Sequence, residues 1–159
     1  MTHPFEQPDD PIDAVITWVD GAAPEHRRQR EFHAAQAGKL HENAINPHRW
    51  VDSNEILFCL QSIENHAPWI RLIWLVTDGT KPDLSRLSTA LRAKVRYVSH
   101  AQIFGEFDDA LPTFNSLAIE SLLWRIAGLT ERFLYFNDDV FLTAPLVPED
   151  VFREDRVVL

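Results

Sequence analysis

An α/β fold on a mostly parallel sheet is predicted by three observations. Apolar runs of strand length alternate with stretches of helical period, each run ends in polar punctuation, and the last run is apolar almost throughout. Near-continuous apolar strands suit a sheet covered on both faces, and the intervening helices supply the crossovers that parallel neighbours need.

Ile12 to Val19 is rich in β-branched and aromatic residues and stops at Asp20-Gly21, which reads as a buried strand ending in a turn. The preceding residues 1–11 carry three prolines and several charges, so a flexible lead-in is expected, with one domain over residues 12–159. Pro24 to Gly38 is polar with a thin apolar stripe and predicts an exposed helix. Asp52 is expected to cap the next helix, with Glu55 closing a capping box. Ile56, Leu60, Ile63 and Ala67 then recur at helical spacing until Pro68 ends the run. Arg71 to Thr77 is the second strand, closed by Asp78-Gly79, and Val95 to Val98 is a short third before His100. Asn115 is placed to cap a helix with Ile119, Leu122, Leu123 and Ile126 on one stripe and Gly128 as its stop. Arg132 to Phe136 is the fourth strand. There is no internal repeat and no low-complexity tract.

With 159 residues and 45% hydrophobic content, the chain suits one core of ordinary domain size. Its 24 acidic against 15 basic side chains give a formal charge of −9, which argues against nucleic acid as a partner. An acidic protein that handles a phosphorylated ligand needs local cations or a metal to offset the repulsion. Cys59 is the sole cysteine, so no internal disulfide can form, and its spacing from Ile56 and Ile63 predicts a core thiol. No segment approaches the ~20 apolar residues of a membrane span. A cytoplasmic location is the expectation, with room for peripheral association with membrane-bound glycan machinery at the inner face.

In an open parallel sheet the ligand crevice lies beyond the carboxyl ends of the strands. Three such ends are polar here: Asp20-Gly21, Asp78-Gly79 and Asn137-Asp138-Asp139. Each Asp-Gly pair alone is ordinary turn chemistry, but three together predict a site. Asp138 and Asp139 are either a solvated turn or ligands for a hard cation such as Mg²⁺, which takes one or two carboxylates plus phosphate oxygens and water. Glu120, with Ser116 one turn earlier, is either a surface carboxylate or a general base. Arg125 is either a phosphate clamp or a charge that suits a helix C-terminus. Trp18 reads as core, or as a stacking face for a base. His100 is a bystander by default, and the other histidines show no paired metal-ligand spacing.

Several motifs in one order carry a resemblance: Thr17-Trp18-Val19-Asp20-Gly21, Ser62-Ile63-Glu64 with Ala67-Pro68-Trp69, Val76-Thr77-Asp78-Gly79, Leu111 to Ser116, Ala118-Ile119-Glu120, and Asn137-Asp138-Asp139-Val140. Together they resemble the first two sequence blocks of the Stealth family. These are hexose-1-phosphate transferases of bacterial capsular polysaccharide synthesis, related to the animal N-acetylglucosamine-1-phosphotransferase. The likeness runs from Ile12 to Phe152. It implies a Rossmann-like, glycosyltransferase-A-like nucleotide-sugar-binding domain. The implied reaction moves a sugar with its phosphate from a UDP-sugar to a hydroxyl of a polysaccharide or other glycan acceptor and expels UMP.

By position, the resemblance implies Glu120 and Asp139 as catalytic carboxylates and Asp138 and Asp139 as ligands of Mg²⁺ or Mn²⁺. Trp18, Val19, Asp20 and Gly21 would shape the donor pocket, with Asp78, Gly79, Asn115, Ser116 and Arg125 expected beside them. Leu57 and Gln61 stand where the family usually has arginine. The family continues with two further blocks that bring a histidine and an arginine to the active site, so the resemblance implies an incomplete domain. The chain would then be the N-terminal part of a longer or split protein, or a truncated relative. Two other readings stay open: a metal-dependent glycosyltransferase that releases UDP, and a non-catalytic nucleotide-sugar-binding remnant.

Overall fold

A computed structural model of the chain describes residues 10–36, 53–153 and 156–158. Most of the expected lead-in and the Asp52 cap lie outside the described residues. Four parallel strands form the sheet: β1 (Ile12–Thr17), β2 (Ile73–Thr77), β3 (Val95–Ser99) and β4 (Arg132–Asn137), in the spatial order β3-β2-β1-β4. The chain builds outward from β1 in one direction to β3, then returns to add β4 on the other side. The order therefore reverses between β1 and β4, and that switch point is where an open α/β sheet offers a crevice.

Each face of the sheet carries its own core, because alternate residues along a strand point to opposite sides. Ile12, Ala14 and Ile16 pack on one face against Ile56, Leu60 and Ile63 of α2 (Glu55–His66). Val15, Val76 and Val98 pack on the other against Ile103 and Ile119. Those two residues belong to α4 (His100–Phe104) and α5 (Ser116–Glu120). The exposed helix expected after Asp20-Gly21 is α1 (Pro24–Gln36), in which only His26 is buried. Two further short helices are α3 (Thr89–Lys94) and α6 (Pro148–Val151), and a small antiparallel pair, β5 (Phe152–Arg153) and β6 (Arg156–Val157), closes the described chain. None of the described helices is long and apolar enough to cross a membrane.

The structure corrects two local expectations. The helix anticipated from Asn115 to Gly128 is two pieces, α5 and a single 3-10 turn at Leu123–Arg125. Ser121 explains the break: its hydroxyl donates to the Ala118 carbonyl at 2.9 Å, while its own carbonyl accepts from the Trp124 indole at 3.0 Å, so local bonds displace the helical ladder. Gly128 does mark the stop, at φ +90° against the Trp74 ring. Likewise α2 starts at Glu55, after a left-handed Asn54, and Glu55 reaches back to accept from the Ser53 amide at 2.7 Å.

At the amino end of the sheet, Asp13 is fully buried within β1. Arg71 grips it with Nε and Nη2 at 2.8 and 2.7 Å. The Trp74 indole (2.8 Å) and the Leu72 and Thr130 amides (both 3.2 Å) also donate to it. Burial pushes this carboxyl's pKa up, but the hydrogen bonds from Arg71, Trp74 and Thr130 and the Arg71 charge outweigh burial and hold it below its ordinary value. One side chain thus ties β1, β2 and the approach to β4 together.

Candidate active site

The carboxyl ends of the four strands are level: Thr17 lies beside both Val76 and Asn137, and Thr77 beside Ser99. Above them opens a cleft of about 370 Å³. Its floor is Thr17, Trp18 and Val19 after β1, with Asn137, Asp138 and Asp139 after β4. Asp78 after β2 and His100 after β3 line the far side, and His26 of α1 faces the Pro112–Phe114 loop across the mouth. His26 and Phe114 meet edge to face, with ring centroids 5.3 Å apart.

The Asp pair sits on a well-anchored turn. Behind it, the Cys59 thiol of α2 donates to the Asn137 carbonyl at 3.8 Å. Beyond it, the Leu142 amide donates to Ser62 at 3.0 Å, the Leu146 amide to the His66 carbonyl at 2.8 Å, and the Trp69 indole to the Leu146 carbonyl at 2.7 Å. Burial, reinforced by the negative charges of Asp138 and Asp139, pushes the Cys59 thiol up to about 12. Cys59 is thus the core thiol the sequence predicts, and it feels the carboxylates above it.

Glu120 does not line the cleft; it is half-buried beside the Tyr135 phenol. That phenol bonds Thr17 Oγ1 at 2.9 Å and donates to Asn137 Oδ1 at 2.7 Å. Burial raises the phenol's pKa, and the Glu120 and Asp138 charges push the same way. Thr17 and Asn137 thus bond the Tyr135 phenol at the cleft floor, with the Glu120 carboxylate near enough to raise the phenol's pKa. Tyr135 was not singled out from the sequence. The signal available is the alternation of β4, in which Phe133, Tyr135 and Asn137 share a face and only the last two carry polar tips.

Trp18, Val19, Asp78, Ser116, Asp138 and Asp139 line the cleft, as their positions at strand and helix ends suggest. Asp20, Gly21, Gly79, Asn115 and Arg125 do not. Asp20 Oδ1 accepts from the Ala22 and Ala23 amides, both at 3.0 Å, and so shapes the turn into α1. The Gly21 carbonyl accepts from Arg30 at 3.5 Å. Gly79 takes φ +111° in the turn after β2, and Asn115 caps α5 by accepting from the Leu117 amide at 3.1 Å. Arg125 pairs with Glu106 at 2.5 Å and lies over the Phe107 and Trp124 rings, so its guanidinium is engaged away from the cleft.

From the sequence His100 reads as a bystander and His26 shows no paired metal-ligand spacing, yet both are buried in the wall. Burial lowers the pKa of His26, helped by Arg30 and opposed by Asp78 and Asp20. It also lowers that of His100, opposed by Asp78. Trp18 Nε1 and His100 Nε2 are buried without a hydrogen-bond partner among the described residues. Among those residues no group of three or more His, Cys, Asp or Glu is arranged as a metal site, so a cation here would have to draw most of its ligands from a bound molecule and water.

Comparison with known proteins agrees with this geometry. Residues 10–32 match Stealth protein CR1, conserved region 1, and residues 49–158 match Stealth protein CR2, conserved region 2. An exopolysaccharide phosphotransferase of Streptomyces coelicolor is 45% identical over 142 residues, covering 89% of this chain and 23% of that protein. A capsular polysaccharide phosphotransferase of Neisseria meningitidis serogroup B is 36% identical, covering 93% of this chain and 39% of that protein. A receptor polysaccharide phosphotransferase of Streptococcus oralis is 37% identical, with 91% and 42% covered. The chain therefore spans less than half the length of these curated relatives.

Proposed function

This chain belongs to the Stealth family, and we propose that its cleft binds a UDP-sugar for transfer of sugar-1-phosphate to an acceptor hydroxyl in capsular or other cell-surface polysaccharide synthesis, with release of UMP. The observation that carries this reading is the placement of Asn137-Asp138-Asp139 on the cleft floor at the switch point between β1 and β4. The phosphotransferase names of the relatives support the same chemistry.

The donor set fits a hard divalent ion that keeps few protein ligands. Asp138 and Asp139 would hold Mg²⁺ or Mn²⁺, which would neutralise the donor's pyrophosphate and stabilise the departing UMP. The acceptor oxygen forms a bond to the phosphorus that carries the sugar, and the bridging P–O bond breaks with its electron pair going to UMP. The acceptor's proton goes to a carboxylate acting as general base, for which Asp139 on the cleft floor and Glu120 beside Tyr135 are the candidates. The reaction belongs on the cytoplasmic side, where nucleotide-sugars are made, beside membrane-bound glycan machinery and with the further regions that the longer relatives carry.

The test is product identity and metal dependence. With UDP-sugar, glycan acceptor and Mg²⁺, UMP release supports sugar-phosphate transfer, whereas UDP release would assign ordinary glycosyl transfer. Mg²⁺-dependent UDP-sugar binding without turnover would assign a binding role to this chain alone. Absence of binding would sink the donor reading.

A further inference from the structure

Helix α1 forms one lip of the cleft, with His26 and Gln29 among the lining residues, and its hold on the rest of the molecule is narrow. Of its 13 residues only His26 is buried. His26 and His33 lie two turns apart on one face of the helix, and both pack on the Phe114 ring, at centroid distances of 5.3 and 5.9 Å. The Pro112–Phe114 loop that carries this ring lines the other lip. The two lips are therefore joined by imidazoles, the side chains whose charge responds to mild acidification.

The surroundings of His26 decide what a proton does there. Facing it are Asp20 from the turn after β1, Asp78 from the end of β2, Arg30 from its own helix and His100 from α4. His33 shares the Phe114 ring with it, and Asp138 and Asp139 lie on the floor of the same cleft. Pro112, Thr113 and Phe114 bring no charge. Burial disfavours the imidazolium and Arg30 adds to that, while Asp78 and Asp20 offset it only in part, so the His26 pKa lies below its ordinary value. His100 offers a proton no better home: burial lowers its pKa too, with His26 adding to the effect and Asp78 opposing it.

We propose that His26 is an acid-released latch: uncharged, it seats against Phe114 and holds α1 over the cleft, and on gaining a proton it lets α1 swing away so that the mouth widens. With α1 away, His26 is in water and takes its proton at the ordinary imidazole value; with α1 seated, it does so only at lower pH. The seated state is therefore at its most favoured above about pH 6.5, and it loses ground as pH falls from there toward the seated value, by up to about ten-fold per pH unit. The latch holds whichever ligand the cleft takes, so it stands or falls apart from the donor reading above.

The experiment is hydrogen–deuterium exchange of the full chain, read by mass spectrometry at about pH 7.5 and about pH 5.5 and corrected for intrinsic rates, with the β1 amides as internal reference. In the wild type, exchange over residues 24–36 relative to β1 is expected to rise about ten-fold between the two conditions. His26→Phe keeps an aromatic ring against Phe114 and has no proton to gain, so its α1 should exchange slowly at both. His33→Gln should respond as the wild type does. An unchanged α1 in the wild type, a rise shared equally by β1, or slower exchange in acid overturns the proposal. So does a full response in His26→Phe, or its loss in His33→Gln. Should His26→Phe not fold, Phe114→Ala removes the seat from the other side: its α1 should exchange at the higher pH as fast as the wild type does at the lower, with no response to acid, and a retained response overturns the proposal.

Discussion

The two ends of the sheet hold aspartates that do opposite things. At the amino end Asp13 accepts five hydrogen bonds and is fully enclosed. At the carboxyl end Asp139 is exposed on the cleft floor and accepts none from the described residues. A carboxylate whose oxygens are saturated by the protein is committed to the fold. One that is oriented but left open keeps its capacity for a cation or ligand.

The largest effect that would sharpen this contrast is at Asp13. Asp13→Ala leaves Arg71 and Trp74 without their acceptor and should lower the unfolding free energy by about 3–5 kcal/mol, read from urea denaturation. Next is Asp139→Asn, expected to cut Mg²⁺-dependent UDP-sugar binding more than ten-fold while stability stays within about 0.5 kcal/mol of wild type, as for an exposed side chain. A large stability loss there would break the comparison.

Acid should separate the two ends as well. Because the Asp13 pKa is lowered in the folded state, its contribution is complete above the unfolded value and is lost as pH falls through the folded one. Wild-type stability should therefore decline below about pH 4 more steeply than that of Asp13→Asn. Tyr135→Phe, between the two ends in kind, removes bonds to Thr17 and Asn137 and should cost about 1–2 kcal/mol. It should slow any turnover with little change in donor affinity. The smallest effect is at Cys59, whose raised pKa predicts negligible alkylation by iodoacetamide at pH 8 until the protein is unfolded.

How much of this was legible in the sequence follows from the range of the interactions. The strands were readable because Ile12–Thr17 and Arg132–Asn137 carry their apolar character locally. The place of the cleft followed from where those strands end. Asp13 was read only as part of a strand, since its partners lie 58 to 117 residues away. Arg125 reads from the sequence as either a phosphate clamp or a charge that suits a helix C-terminus. The break at Ser121 rests on local bonds that compete with a helix the apolar spacing equally allows, and the pairing with Glu106, 19 residues back, carries no local signature. The motif places Glu120 near the chemistry, but its nearness to the Tyr135 phenol of β4 is a tertiary fact that no spacing along the chain contains.

The fastening of the segment after β4 onto α2 also makes the cleft lopsided in its mechanics. One jaw, carrying Asp138 and Asp139, is bolted on both sides, through Asn137 to Cys59 and through Leu142 to Ser62. The opposing jaw is α1 and the Phe114 loop, which meet where His26 and His33 pack on the Phe114 ring. Any widening or narrowing of the cleft is therefore expected on that side, while the turn that carries Asp138 and Asp139 keeps its shape.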